Sequence, residues 1–223
     1  MYTPPLFKQD RTASLGFAEE RGFGTICAWN GARPIASSLP FYLRHADGGA
    51  LQALFHVARG NPLAKFADGA TPWLLAVNGP DAYVSADWYV SSDQVPTWLY
   101  QSVHLTGPVR VLSDEELAVQ VDALSAKFEN WLSPKKPWTS AKMTPAKLDA
   151  MKKAIIGLVM TVEEVEGSFK LNQHKSEADY AAVAGALAER TDTGSQQIAG
   201  LMRKARPQAF ADQQTTKLER NVP

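Results

Sequence analysis

Between Phe23 and Leu112 the chain is cut at short intervals by turn signals: Asn30-Gly31, Asp47-Gly48-Gly49, Arg59-Gly60-Asn61 and Gly79-Pro80. The segments between them are rich in branched and aromatic residues and too short for strand–helix–strand crossovers. They read as strands over Phe23–Trp29, Arg33–Leu39 with Pro40–Leu43 extending it or beginning a third, Ala50–Val57, Trp73–Asn78, Ala82–Ser85 as a short continuation or bulged edge, and Val95–Thr106, the last continuing through Gly107-Pro108 to Leu112. Asn-Gly is a strong two-residue hairpin signal, because both residues accept the positive φ of a type I′ turn. This density of antiparallel pairing favours a small closed barrel over a parallel sheet. Ile155–Val165 adds a last strand, and the acids Glu163, Glu164 and Glu166 at its end read as plain surface before a turn at Gly167.

Helices are predicted around this sheet. Asp10–Glu20 follows a possible cap at Asp10 or Thr12 and ends at Arg21-Gly22. Ser113-Asp114-Glu115-Glu116 is an N-cap with acid in its first turn, and Leu117, Val121, Leu124 and Phe128 recur at helical spacing. Thr144-Pro145 opens a helix to about Lys153, and Ser176 or Asp179 opens another to Arg190. The expected fold is mainly β with α: an antiparallel barrel of six or more strands with peripheral helices at 113–153 and 176–190. It would form one domain over residues 1–190, followed by a polar tail, 191–223, with a short helix at Ile198–Met202 that docks on a neighbour or partner and a disordered end.

Lysine plus arginine number 23, as do aspartate plus glutamate, so no global charge draws the chain to nucleic acid or to an anionic membrane. The one basic cluster is Arg203-Lys204-Ala205-Arg206, and no recognition helix with clustered Arg and Lys is present, which argues against direct DNA contact. A lone Cys27 excludes an internal disulfide and a multi-cysteine metal site, and its apolar setting reads as a small buried residue. No charged-then-apolar leader and no apolar run long enough for a bilayer are found, so a cytoplasmic protein is expected.

Three stretches carry chemistry. In Val95–Gly107, Trp98, Tyr100 and His104 share one parity while Val95, Leu99 and Val103 share the other, so one face of the strand is far more aromatic and polar than packing requires. In Ala58–Phe66, Asn61 caps a short helix begun by Pro62, beside Arg59 and Lys65, an arrangement suited to a phosphate and equally to a solvated turn. Gly167–Lys175 gathers two amide side chains, a His and two Lys without a hydrophobic period.

The chain resembles the PaiB family of FMN-binding negative transcriptional regulators, which have the FMN-binding split barrel. The resemblance spans roughly residues 1–190. It rests on Met1-Tyr2 to Phe7, Leu39-Pro40, His56-Val57-Ala58-Arg59-Gly60-Asn61-Pro62, Gly79-Pro80 with Tyr83-Val84-Ser85 and Trp88-Tyr89, Val95–Tyr100 with Val103-His104, and Lys170-Leu171-Asn172-Gln173. It implies a homodimer with FMN between subunits. It places Arg59, Asn61 and Lys65 near the phosphate, Trp98, Tyr100 and His104 around the isoalloxazine, and Lys170 and Gln173 at the ring carbonyls or ribityl chain. His56 lies in the same motif. The chain departs from the family pattern at Ser38, Leu99 and His174, each expected to remove a polar group from the pocket.

Four functions follow from these residues. The first is a flavin-binding regulator, and the second a small flavin-dependent oxidoreductase acting on a small-molecule substrate, with His56, His104 or Tyr100 as proton donor. The third is a heme protein with a histidine ligand, and the fourth a dimeric scaffold without cofactor. No metal site is expected, and no catalytic residue is fixed.

Overall fold

The computed structural model describes residues 1–210; the far end of the expected polar tail lies outside the described residues. The strands are β1 (Lys8–Gln9), β2 (Phe23–Trp29), β3 (Pro34–Pro40), β4 (Tyr42–His45), β5 (Leu51–Ala58), β6 (Asp68–Val84), β7 (Thr97–Val111), β8 (Ile155–Thr161) and β9 (Glu164–Lys170). The helices are α1 (Arg11–Arg21), α2 (Asp114–Asn130), α3 (Pro145–Lys153), α4 (Glu177–Ala188) and α5 (Thr193–Ala205). The sheet runs β3-β2-β6-β7-β8-β5-β4, while β9 pairs with β7 and β1. This path is open at β3 and β4, so the sheet is the split barrel that the family resemblance implies; the closed barrel favoured by turn spacing alone is not formed.

The chain divides into two compact units. The strand unit comprises Arg11–Val77 and Val103–Glu166. Its hairpin β2–β3 forms with Cys27 opposite Ala36, but residues 30–33 make the loop in place of a two-residue turn and only Gly31 takes a positive φ; the Asn30 side chain closes it by accepting from the Ala32 and Arg33 amides at 3.0 and 2.9 Å. On β2, Gly24, Ile26 and Ala28 face the core, which puts Cys27 on the other, partly exposed face; the expected burial of the thiol is corrected by strand parity.

Helix α1 buries Ser14 and Ala18 and stops at Gly22, whose φ of +56° suits glycine and closes the last turn. Helix α2 begins with a full capping box, Ser113 and Glu116 each bonding the other's amide. It buries Leu117, Gln120 and Leu124.

Two boundaries differ from the sequence reading. Strand β6 does not break at Gly79-Pro80: burial falls on Trp73, Leu75 and Val77, then on Ala82 and Val84. The alternation slips by one residue between them, and Pro80, which has no N–H to give a ladder, occupies the slip. The predicted last strand is two, β8 and β9, so the acids at 164 and 166 lie within a strand that continues through Gly167 to Lys170.

The helical unit comprises Met1–Asp10, Asn78–Ser102 and Gly167–Pro223, described to Phe210. Its core joins Val84 and Leu99 to Tyr180, Val183, Leu187, Ile198 and Met202. Burying a side chain such as Ile198 or Met202 is worth about 1.5–3 kcal/mol, so α5 is a packed element of this unit. The Tyr180 hydroxyl donates to the Met202 carbonyl at 2.9 Å, and burial pushes its pKa up to about 12. The buried Asp179 accepts from the Val90 amide, the Ser91 amide and hydroxyl, and the Ser176 hydroxyl, at 2.8 to 3.0 Å. Those donors hold its carboxyl below the usual range and tie the loop before β7 to the start of α4.

Candidate functional site

Burial alternates without a slip along β7: Leu99, Gln101, Val103, Leu105, Gly107 and Val109 are buried, and the even-numbered residues face the other way. Trp98, Tyr100, Ser102 and His104 therefore share one outer face, as their parity requires. Trp98 is 54% exposed and meets Tyr83 edge to face, with centroids 6.0 Å apart, while the Ser102 hydroxyl donates to the Asn78 side-chain oxygen at 2.8 Å. His104 is half-buried, and burial lowers its pKa, so the ring is neutral at pH 7.

Lys170 lies on β9 in the helical unit, where its Nζ donates to Thr97 Oγ1 at 2.5 Å and sits 5.8 Å from the centre of the Phe7 ring. One ammonium proton is thus fixed near the start of β7 and two are left for another acceptor. Two residues earlier, on the same face of β9, the fully buried Ser168 hydroxyl has no hydrogen-bond partner among the described residues. Gln173 follows β9, and its side chain is engaged within the chain. Its amide donates to the Phe169 and Leu6 carbonyls and accepts from the Leu171 amide, so it fastens the loop after β9.

In the strand unit, β5 brings His56 and the turn at Arg59–Asn61 to one end of the strand. His56 is half-buried opposite Gly157 of β8 and 3.4 Å from Gln120 Nε2, and burial lowers its pKa. Arg59 and Asn61 point to different partners. The Arg59 guanidinium donates through Nε to the Lys153 carbonyl and through Nη2 to the Ile155 carbonyl at 3.0 Å, where α3 meets β8. Asn61 donates to Ser37 Oγ at 2.8 Å and accepts from the Leu63 amide at 3.0 Å. The helix it caps is one five-residue 3-10 segment, Pro62–Phe66, too short to act as an anion-binding dipole. What remains for an anion at this turn is the Nη1 amine of Arg59 and the exposed Lys65.

The three departures from the family pattern leave the outer face of β7 intact. Leu99 is fully buried in the core of the helical unit, Ser38 exchanges a hydrogen bond with Thr25 at 3.2 Å, and the His174 ring meets Phe7 edge to face. The pocket-facing polar groups expected to be lost at these positions are not on that face.

These residues suit a flavin. Within the helical unit a half-exposed aromatic surface offers a plane for an isoalloxazine, and a lysine with two unassigned protons shares a strand face with an unpartnered hydroxyl; within the strand unit, by itself, two cations stand at the Arg59 turn.

A family model described as "Putative FMN-binding domain" matches residues 1–164. The protease synthase and sporulation protein PAI 2 of Bacillus subtilis is 32% identical over 203 residues, covering 91% of this chain and 96% of that protein. An uncharacterised protein of Emericella nidulans is 25% identical over 203 residues, covering 76% and 81%. Among solved structures, the FAD and heme binding protein from Mycobacterium smegmatis is similar with a TM-score of 0.52 at 18% identity, over 72% of this chain and 71% of that one. The flavocytochrome Anf3 from Azotobacter vinelandii gives 0.51 at 20% identity, over 74% and 69%. The likeness to these two lies in the fold.

Proposed function

The chain belongs to the FMN-binding domain family, with FMN as its cofactor, and from that premise we propose that it is a flavin-binding regulator of the PaiB type acting as a cytoplasmic homodimer. The observation that carries the reading is the outer face of β7, where Trp98, Tyr100 and His104 follow one another on one parity without a break. Tyr100 and His104 meet the ring, Trp98 bounds it, and Lys170 donates to a ring carbonyl or to the ribityl chain. Arg59 and Lys65 face the phosphate, while His56, Asn61 and Gln173 set the loops that present these groups.

When bound, FMN supplies reversible one- and two-electron redox chemistry. The chain's own residues bind and orient it: a neutral His104 accepts or donates a hydrogen bond without adding charge, and the Lys170 ammonium favours electron density on whatever carbonyl it touches. The printed name of the Bacillus subtilis relative refers to protease synthesis and sporulation, and this supports a regulatory role over a metabolic one.

The deciding experiment is an FMN titration of the flavin-stripped protein followed by flavin fluorescence, with mass measured in parallel. Saturable quenching with a micromolar or lower dissociation constant and a dimer mass are expected. Tyr100→Ala and Lys170→Met should each weaken binding by roughly tenfold. A protein that ignores FMN overturns the reading and leaves a scaffold.

A further inference from the structure

A cavity of about 390 Å³ lies wholly within the helical unit, walled by Tyr83, Trp88 and Trp98 and edged by Asp81, Arg190 and Asp192; it adjoins the outer face of β7, with which it shares Trp98. Its chemistry differs from that of a flavin site. Tyr83 and Trp98 meet at 66°, edge to face, so the contact takes up one face of one ring and leaves the remaining ring faces open; Tyr83 is 49% exposed. Ring faces are electronegative and ring edges electropositive, so an uncovered aromatic corner attracts positive charge.

The carboxylates act in the same sense. Asp192 caps α5 by accepting from the Ser195 amide at 2.8 Å, and the Ser195 amide and hydroxyl hold its carboxyl below the usual range. It is an anion throughout the physiological range. Arg190 stands 3.5 Å away, but both side chains are more than half exposed, and such a pair is loose and readily screened. Asp81 is exposed and forms no ion pair among the described residues. Two carboxylates against one guanidinium leave the lining net negative.

The corner is also fixed. A Cβ on Gly194 would lie 2.5 Å from the Asp81 carbonyl, so the first turn of α5 packs directly on the backbone of β6 and sets the two acidic positions relative to each other. A phosphate or carboxylate ligand would face repulsion here. A bare metal ion is unsuited, because aromatic rings offer it no lone pairs, and no group of three metal-ligating side chains occurs among the described residues.

We propose that this cavity binds a small organic cation with a compact ammonium head, held among Tyr83, Trp88 and Trp98 with its charge balanced by Asp81 and Asp192. The inference goes beyond the flavin reading and does not rest on it.

The test uses the full chain without flavin. Choline is titrated while tryptophan fluorescence is followed, alongside 3,3-dimethylbutan-1-ol, its neutral isostere, and sodium chloride at matched ionic strength. Choline should give a saturable change, with the neutral alcohol at least about tenfold weaker. Asp81→Asn, on an exposed side chain whose loss leaves the fold intact, should weaken choline roughly three- to tenfold and leave FMN affinity unchanged. Equal binding of the neutral alcohol, a response matched by sodium chloride, or unchanged choline affinity in Asp81→Asn would overturn the proposal. Failure of FMN to bind would leave it standing.

Discussion

The two halves of β7 obey one alternation and differ in what they are for. From Val103 to Val111 the strand belongs to the strand unit and is committed to it: Val109 pairs with Met160, the Thr106 carbonyl takes the Glu163 amide, and Arg110 forks onto Glu116 of α2. From Thr97 to Ser102 it belongs to the helical unit, and its inner residue Leu99 is as buried as Val103, yet its outer face keeps Trp98 half exposed. A single secondary-structure rule thus yields a committed scaffold in one half and, in the other, a half-exposed aromatic face, the one proposed above to bind. The difference comes from neighbours, not from the backbone. Apart from His104, whose ring lies on the shared outer face, substitutions in the second half should therefore be felt mainly in stability, and those in the first half in binding.

The strongest way to break this contrast is Gly107→Ala. A Cβ at 107 would stand 1.8 Å from the Thr161 carbonyl oxygen, and backbone cannot yield that far without losing the strand end. A cost of more than about 4 kcal/mol is expected, enough to leave most of the protein unfolded or insoluble. A soluble variant with an unchanged denaturation midpoint would show that the close approach is absent.

Protonation gives the next effect. His56 and His104 both have pKa values lowered by burial, so between the ordinary value of 6.5 and the folded value the unfolded chain holds more protons than the folded one. Stability therefore falls as pH drops through 6.5 and levels off below the folded values, with a slope of at most about 1.4 kcal/mol per pH unit for each histidine. His104→Gln should flatten its share of this slope in denaturant melts taken from pH 7.5 to 5. An unchanged slope would mean that His104 is as well solvated folded as unfolded.

Glu116→Gln should be milder. Its carboxylate bonds Arg110 at 2.7 and 2.9 Å and the Ser113 amide at 2.8 Å, and these partners, Arg110 foremost, hold its pKa at about 2. A depressed carboxylate stabilises above its unfolded value near 4.5 and loses that contribution as pH falls towards 2. Both partners are more than a third exposed, so the loss at neutral pH should be about 1 kcal/mol, and the variant should show less acid sensitivity below pH 4.5.

How much of this was legible in the sequence depends on the range of the interaction. The parity of Trp98, Tyr100 and His104, the Asn30-Gly31 hairpin and the Ser113 cap are set by residues within a few positions of each other, and they could be read directly. The continuation of β6 across Gly79-Pro80 could not, since a proline within a strand reads as a break unless the one-residue slip that accommodates it is known. Arg59 illustrates the limit on the site. Its guanidinium partners are 94 and 96 residues away, and no local rule indicates that it turns to the start of β8 while Asn61 turns to β3. The tail was legible in part for a related reason: Ile198, Ala199 and Met202 call for a helix docked on a neighbour, but no local rule says that the neighbour is α4.

The smallest expected change in stability is at Trp98, and it is the most informative. A tryptophan this exposed has its ring between Tyr83 and solvent, so Trp98→Leu gives up one edge-to-face contact while Leu99 beneath it stays in the core. Such a pair is worth about 0.5–1.5 kcal/mol when buried, and here, half in water, the change should stay near 0.5 kcal/mol. The same substitution should weaken choline by at least about tenfold, because the π-face is what a cation would meet. If the melt moves by as much as that of Glu116→Gln while ligand binding does not, Trp98 is a packing residue and the two halves of β7 are scaffold alike. If binding is lost at unchanged stability, the outer face at Trp98 exists for a ligand, since nothing in the fold requires an indole there.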